Sequence, residues 1–331
     1  MPLFAPLRMP IKRRMQTGAV LLWISGIIYM LGIFVFLCTF KVLRPLIIMY
    51  LLWAFILDRG PERGARPVQW YRNWIGWKHF AQYFPMTLVK EGELDPSKNY
   101  IFGYHPHGII SLGAFCTFGT EGLHFSKRFP GIKPQLLTLH ANFQVPLYRE
   151  MVMAHGCASV SRASCEHILR SGEGCSVVIV VGGAQESLST RPGTLNLTLK
   201  KRLGFCKLAL VHGASLVPTL AFGENELYEV YTAKPKSLMY KIQQFTKRTM
   251  GFTMPVFNGR GIFNYEFGLL PRRKPVSIVV GKPIHVDKVE NPTVEQMQKL
   301  QSIYIDEVLS IWERYKDKYA AGRTQELCII E

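Results

Sequence analysis

Two short stretches hold residues that can do chemistry. In YIFGYHPHGII, Tyr100 to Ile110, an apolar, strand-like run ends in His105 and His107 around a single proline, with Gly108 closing the motif. An imidazole of ordinary pKa, about 6.5, can take a proton from a hydroxyl at neutral pH, which makes a general base the first reading. Two others stay open. Residues two apart on a strand face the same way, so both rings could ligate one metal, although Pro106 interrupts the strand and no carboxylate or cysteine stands nearby at ligand spacing. The pair could equally be structural, buried and satisfied by hydrogen bonds. In VVIVVGGAQES, Val177 to Ser187, a second hydrophobic run ends in Gly182, Gly183 and Ala184, followed by Glu186. Such glycines admit a substrate to the backbone, and their amides can donate to a developing oxyanion. Glu186 could hold an imidazole in its productive tautomer, as the third member of a triad does, or be a surface residue capping a Gly-rich turn. No G-x-S-x-G occurs, which excludes the serine-hydrolase elbow.

A third stretch, Leu199 to Glu224, opens on Lys200, Lys201, Arg202 and Lys207, four cations within eight positions. That is the right chemistry for phosphates, although charge runs also occur as solvated faces. It lacks the G-x-x-x-x-G-K-[ST] pattern of a nucleotide-hydrolysing loop.

The elements that must position these residues read as an α/β domain with a largely parallel sheet. Strands are expected at Tyr100–Tyr104, Val177–Val181, Ser215–Phe222 and Val276–Gly281, and helices at Ser164–Arg170, Leu195–His212 and Val294–Lys316. In an open sheet of this kind ligands gather beyond the carboxyl ends of the strands, where HPHG lies, ahead of a helix expected to begin near Ile109.

Upstream, Gly18 to Phe40 is an uncharged run of about 23 residues, roughly 34 Å as a helix against a hydrocarbon core of about 30 Å. A second apolar stretch, Pro45 to Leu57, is about 13 residues and short for an independent span. The pair suits a transmembrane or re-entrant hairpin within residues 1–60. The first stretch is too long for the core of a signal peptide and has no clean cleavage site. Lys12, Arg13 and Arg14 precede it, which places the amino terminus in the cytosol, and the large domain with it if the second leg returns. Residues 61–98 then carry a charged Gly/Pro linker and a segment with Trp70, Trp74, Trp77, Phe80 and Phe84 at helical spacing. It suits a helix lying on a membrane surface or docked on the domain. The catalytic domain is expected over 99–331.

Composition bounds the partners. The 331-residue chain is 48% hydrophobic with a net charge of +17, and its mean hydropathy is +0.09. Such a chain meets anionic lipid or a polyanionic small molecule, and it shows none of the zinc-finger, aromatic-basic or polylysine signals of a nucleic-acid binder. Seven cysteines without a C-x-x-C pair fit reduced thiols. The sequon at Asn196 falls in the part expected to be cytosolic, and the terminal CIIE ends in a glutamate unusual for a prenylation box.

HPHG, the YFP of Tyr83 to Pro85, VGGAQE, RLGFCKLALVHGASLVPTLAFGENE (Arg202 to Glu226), GRGIFNYEFGLLP and GKPI occur in this order. Together they resemble the type-2 diacylglycerol acyltransferases and their monoacylglycerol and wax-alcohol relatives over nearly the whole chain. The resemblance implies a membrane enzyme of the endoplasmic reticulum and lipid droplets that moves a long-chain acyl group from coenzyme A to diacylglycerol, its domain facing the cytosol. Diacylglycerol is preferred over monoacylglycerol or a long-chain alcohol. Neither metal nor further cofactor is implied, membrane lipid is a partner, and a homo-oligomer is allowed. On this analogy His107 is the base, with His105 beside it and Glu186 as the acidic partner. Gly108, Gly182, Gly183, Arg202 and Lys207 would line the substrate site. The order of motifs is more distantly similar to that of the glycerophospholipid acyltransferases, which adds Arg149, or Arg162, as the substrate arginine. Their H-x-x-x-x-D would end here at Leu112, so the orienting carboxylate has to come from elsewhere. A lipid-droplet scaffold with a structural HPHG is the non-enzymatic counterpart.

Overall fold

A computed structural model describes residues 4–6, 8–231, 237, 238, 241, 245 and 256–330. Its strands are β1 (Thr87–Lys90), β2 (Tyr100–His105), β3 (Lys133–Thr138), β4 (Ala158–Ser159), β5 (Cys175–Val180), β6 (Asn196–Thr198), β7 (Ser215–Phe222), β8 (Glu229–Tyr231), β9 (Val256–Asn258), β10 (Ser277–Val280) and β11 (Cys328–Ile330). Seven of them form one sheet in the order β1-β10-β7-β2-β5-β3-β4. From β7 to β4 all run parallel, while β1 and β10, parallel to each other, run the opposite way. The fold is therefore mixed α/β with a mostly parallel sheet, and the four expected strands are β2, β5, β7 and β10.

The central strands are continuous apolar runs because both faces of the sheet are covered. Along β2 the period of two sends Tyr100, Phe102 and Tyr104 to the front, against Trp77, Phe80, Phe84 and Phe118. Ile101 goes to the back, against Tyr304 and Ile311. The back is roofed by the helix Val294–Tyr319, which starts on a Thr293/Gln296 capping box and buries Leu300, Tyr304, Val308, Ile311 and Trp312 at helical spacing.

Two expectations are corrected here. The helix expected over Leu195–His212 is a strand, a turn and a shorter helix, Gly204–His212. Leu195, Leu197 and Leu199 are all buried, which is a period of two, and β6 pairs with β11. The helix after HPHG begins at Leu112, not near Ile109, and passes at once into a π-helical turn, Phe115–Gly119.

The first apolar stretch is not one helix. Ile11–Ile24 and Gly26–Thr39 meet at a bend of 66°, and among the described residues no single helix is long and apolar enough to cross a membrane. At the break the Ser25 hydroxyl donates back to the Leu21 carbonyl at 2.7 Å. A Cβ on Gly26 would lie 2.8 Å from Met151 Cε, so glycine permits close approach to the helix Tyr148–Ala154. The first half packs on the helix Ile75–Tyr83, in the layer in front of the sheet. Ala19 and Val20 are buried there, and Trp23 stacks on Phe115 with ring centroids 3.4 Å apart. The second half leaves Ile28, Val35 and Phe36 exposed. The second stretch is the helix Arg44–Leu52 continued by a π-turn, Trp53–Leu57. The aromatic segment splits into Gln69–Arg72 and Ile75–Tyr83. Trp77, Phe80 and Phe84 dock into the front core, while Trp70, Trp74 and Ile75 stay exposed.

Candidate active site

Strand β2 lies between β5 and β7, parallel to both. The segments that leave their carboxyl ends therefore emerge side by side along one edge: His105–Gly108 after β2, Gly182–Glu186 after β5, and Gly223–Glu226 after β7.

The two histidines have different fates. His105 continues the back-facing parity of Ile101 and Gly103 and is wholly buried. Tyr304 donates its hydroxyl to the Gly103 carbonyl at 3.0 Å, so it accepts from His105 Nε2–H at 2.9 Å. Burial drives this imidazole down to about 3, so it is neutral. Gly103 is what lets Tyr304 in, since a Cβ there would collide with the tyrosine hydroxyl. His105, expected beside the base, is thus a packed core residue bound to the roof helix. His107 is partly exposed. Its Nδ1 lies 3.1 Å from the Gly108 carbonyl and 2.9 Å from Ser187 Oγ. A carbonyl can only accept, so this contact favours the Nδ1–H tautomer, in which Nε2 keeps its lone pair. Burial lowers this histidine below the ordinary value, against two backbone contacts that raise it. The ring is a neutral base at pH 7.

Glu186 does not hold that ring. Its Oε2 accepts the His107 backbone N–H at 2.8 Å and its Oε1 the Thr198 N–H at 2.7 Å. The orienting groups expected of a triad are instead the Gly108 carbonyl and Ser187. Burial raises Glu186 to about 7, against the two amides and the Arg202 cation that pull it down. Gly182 makes room for this carboxylate, because a Cβ at 182 would collide with it. Gly183 takes φ +61 at the first residue of the helix Gly183–Ser189, a backbone that glycine adopts without strain.

Across the site stands a second buried carboxylate, Glu224. Its Oε1 accepts Leu112 N–H at 2.7 Å, and its Oε2 accepts Gly113 N–H at 3.0 Å and Tyr104 O–H at 2.9 Å. Burial raises it to about 7, against these donors. Gly108 is fitted to it: a Cβ there would lie 2.9 Å from Glu224 Cγ. Glu224, Ser187, Tyr104 and Tyr304 are residues the sequence reading did not single out. For Glu224 a signal was present, since AFGE repeats the strand–glycine–glutamate order of VVGGAQE.

Of the expected cations, Arg202 reaches the site, its Nη2 donating to the Gly182 carbonyl at 3.3 Å. Lys207 is exposed on Gly204–His212, and Lys200 and Lys201 are exposed before it. Arg149 is drawn elsewhere. It is buried and paired to Asp58 at 2.7 Å and Glu150 at 2.6 Å, with Trp53 and Phe55 against its guanidinium. Arg66 binds the same two acids. Burial would raise Asp58, but Arg66, the Gly60 amide and Arg149 overcome it and hold the carboxyl at about 2. Arg149 therefore ties the apolar 44–57 segment to the domain. Arg162 pairs with Glu166 on an exposed helix face. Among the described residues, no three or more His, Cys, Asp or Glu are grouped to hold a metal ion. Asn196 is half-buried in β6, where Gln325 donates to its side chain at 2.8 Å. Cys328–Ile330 is the paired strand β11, and Glu331 lies outside the described residues.

The chain is similar to several known proteins. A family model described as diacylglycerol acyltransferase matches residues 34–330. Diacylglycerol O-acyltransferase 2A of Umbelopsis ramanniana is 52% identical over 334 residues, 100% of this chain and 94% of that one. The 2-acylglycerol O-acyltransferase 1 of Bos taurus is 44% identical over 98% of each. Among solved structures, the 1-acyl-sn-glycerophosphate acyltransferase PlsC of Thermotoga maritima is similar at a TM-score of 0.42 and 14% identity, over 88% of this chain and 98% of its own. With the family model spanning all but the first tenth of the sequence, and a whole-length relative above half identity, the chain belongs to the diacylglycerol acyltransferase family.

Proposed function

We propose that this acyltransferase esterifies diacylglycerol to triacylglycerol with long-chain acyl-CoA, using His107 as general base. The observation that carries the reading is the Nδ1 contact to the Gly108 carbonyl, which leaves Nε2 unprotonated on a neutral, partly exposed ring. Nε2 takes the proton of the acceptor hydroxyl as its oxygen attacks the thioester carbonyl. The tetrahedral intermediate then collapses, the C–S bond breaks, and the imidazolium returns the proton to the departing coenzyme A sulfur. The thioester supplies the activation, so neither metal nor nucleotide hydrolysis enters the scheme. Arg202, at the rim of the Gly182 turn, suits the phosphates of the donor.

The acceptor and product dissolve only in lipid, so the site has to meet a membrane. Several exposed apolar groups support that placement: Ile28, Val35 and Phe36 on the bent pair, Trp70 and Ile75 on the aromatic segment, and Phe263, Phe267 and Leu269 in the loop before β10. An endoplasmic reticulum membrane or droplet surface, with the domain on the cytosolic side where acyl-CoA is found, completes the reading. The experiment is turnover of labelled oleoyl-CoA by the purified protein in liposomes with diacylglycerol, monoacylglycerol or hexadecanol. Triacylglycerol as the fastest product is expected. Faster ester formation with either other acceptor reassigns the substrate, and no ester at all makes the protein a scaffold.

A further inference from the structure

We infer that Glu224 is a positioning residue for acyl transfer, a buried carboxylate that fixes the backbone from Gly108 to Gly113 and through it the His107 ring. The inference rests on His107 being the base. The segment it grips is irregular. Gly108 has φ +57 and Ser111 φ +50, an uncommon conformation for a serine, and helix begins only at Leu112. Such a backbone persists where its surroundings over-determine it. Here they do so from both ends. Glu186 takes the N–H of His107, and Glu224 takes those of Leu112 and Gly113. Between them the Ser111 hydroxyl donates to the His107 carbonyl at 2.8 Å.

The partners of Glu224 favour the ion. It receives hydrogen bonds from two amides and the Tyr104 hydroxyl, and a carboxylate offers acceptors to all three with no donor of its own. A charge this deep is costly to bury, and a single neutral cap would end a helix at less cost. Its effect on chemistry passes through Gly108. The Gly108 backbone packs on Glu224 Cγ, and the Gly108 carbonyl sets the tautomer of His107. Displacing Glu224 displaces that carbonyl.

The test uses the full-length protein in detergent micelles. Glu224→Gln keeps the size of the side chain but turns an –NH₂ toward an amide or the Tyr104 hydroxyl. We expect kcat to fall about 10²-fold, as a misplaced catalytic group does, with KM for acyl-CoA unchanged. A second readout does not need turnover: the rate of His107 carbethoxylation by diethyl pyrocarbonate, followed by peptide mass spectrometry. That rate should change in the variant while those of the exposed His124 and His140 do not. Parental kcat together with a parental His107 rate overturns the inference, whatever happens to the melting temperature. If Glu224→Gln does not fold, Tyr104→Phe removes one of the three donors, and parental values of both readouts there overturn it equally. If the parent protein forms no ester, the base reading fails, and the carbethoxylation rates still decide whether Glu224 positions the ring.

Discussion

At the residue scale, the proposed chemistry is concentrated on one nitrogen, His107 Nε2. His107→Ala removes Nε2 and should lower kcat by about 10² to 10⁴, the usual worth of a general base, with folding and membrane association unchanged. Activity within a few-fold of the parent, measured as triacylglycerol formed per mole of protein, would return HPHG to a structural role. Glu186 adds a pH signature. Burial raises it to about 7 from an ordinary 4.5, so the folded protein holds this proton more tightly than the unfolded chain. Its contribution to stability is full below the unfolded value and is lost as pH rises through about 7. Geometry demands the opposite charge state, because only the ionised carboxylate accepts both the His107 and Thr198 amides. We therefore expect kcat to climb, and the melting temperature to decline, as pH rises through about 7. Glu224 shares that window, so Glu186→Gln should flatten both slopes without abolishing them. Unchanged slopes in the variant would show that Glu186 does not titrate there.

At the element scale, the site depends on how the strands and the roof helix meet. Gly103→Ala tests this. The new Cβ would collide with the Tyr304 hydroxyl, which then loses its bonds to the Gly103 carbonyl and to His105. Overpacking of this kind costs about 1–3 kcal/mol. A lower denaturation midpoint with His107 chemistry largely retained is the expected pattern, and a parental midpoint would mean that the helix Val294–Tyr319 is not pinned at Tyr304. This scale also shows what the sequence could disclose. Short β-branched runs marked β2, β5, β7 and β10, because strands covered on both faces are continuous apolar runs. The same logic applied to Leu195, Leu197 and Leu199 finds β6, at the start of the run expected as one helix. Spacing brought His107 and Glu186 to one edge, yet it cannot say which atom a carboxylate meets, and Glu186 met the backbone. Glu224 stayed hidden because its partners lie more than a hundred positions away along the chain. Arg149 misled for a similar reason: its acids, Asp58 and Glu150, lie in the segment expected to be an anchor and at its own neighbour.

At the scale of the whole molecule, the amino-terminal segment and the domain are joined by contacts that constrain topology. Ala5 N–H donates to the Phe263 carbonyl at 2.7 Å. Arg273 donates to Gln16 at 2.7 Å and to Thr17 at 2.9 Å, and the helix Ile11–Ile24 buries Val20 in the front core. A helix packed in this way is held by the domain. What remains for the bilayer is Gly26–Thr39, roughly 21 Å of helix against a core of about 30 Å, and the returning segment Arg44–Leu57. The pair is long enough to dip into one leaflet and come back. We therefore predict that both chain termini and the domain share one side of the membrane, the cytosolic side that Lys12, Arg13 and Arg14 select. Protease protection on sealed microsomes, with a tag at each end, is the measurement. Both tags should be digested without detergent. Shielding of one terminus only would require the Ile11–Ile24 helix to leave the domain, exposing Val20 and unstacking Trp23 from Phe115, and would overturn the re-entrant topology. Shielding of both would keep these contacts and place the site in the lumen, where Asn196, half-buried and bonded to Gln325, would meet the glycosylation machinery.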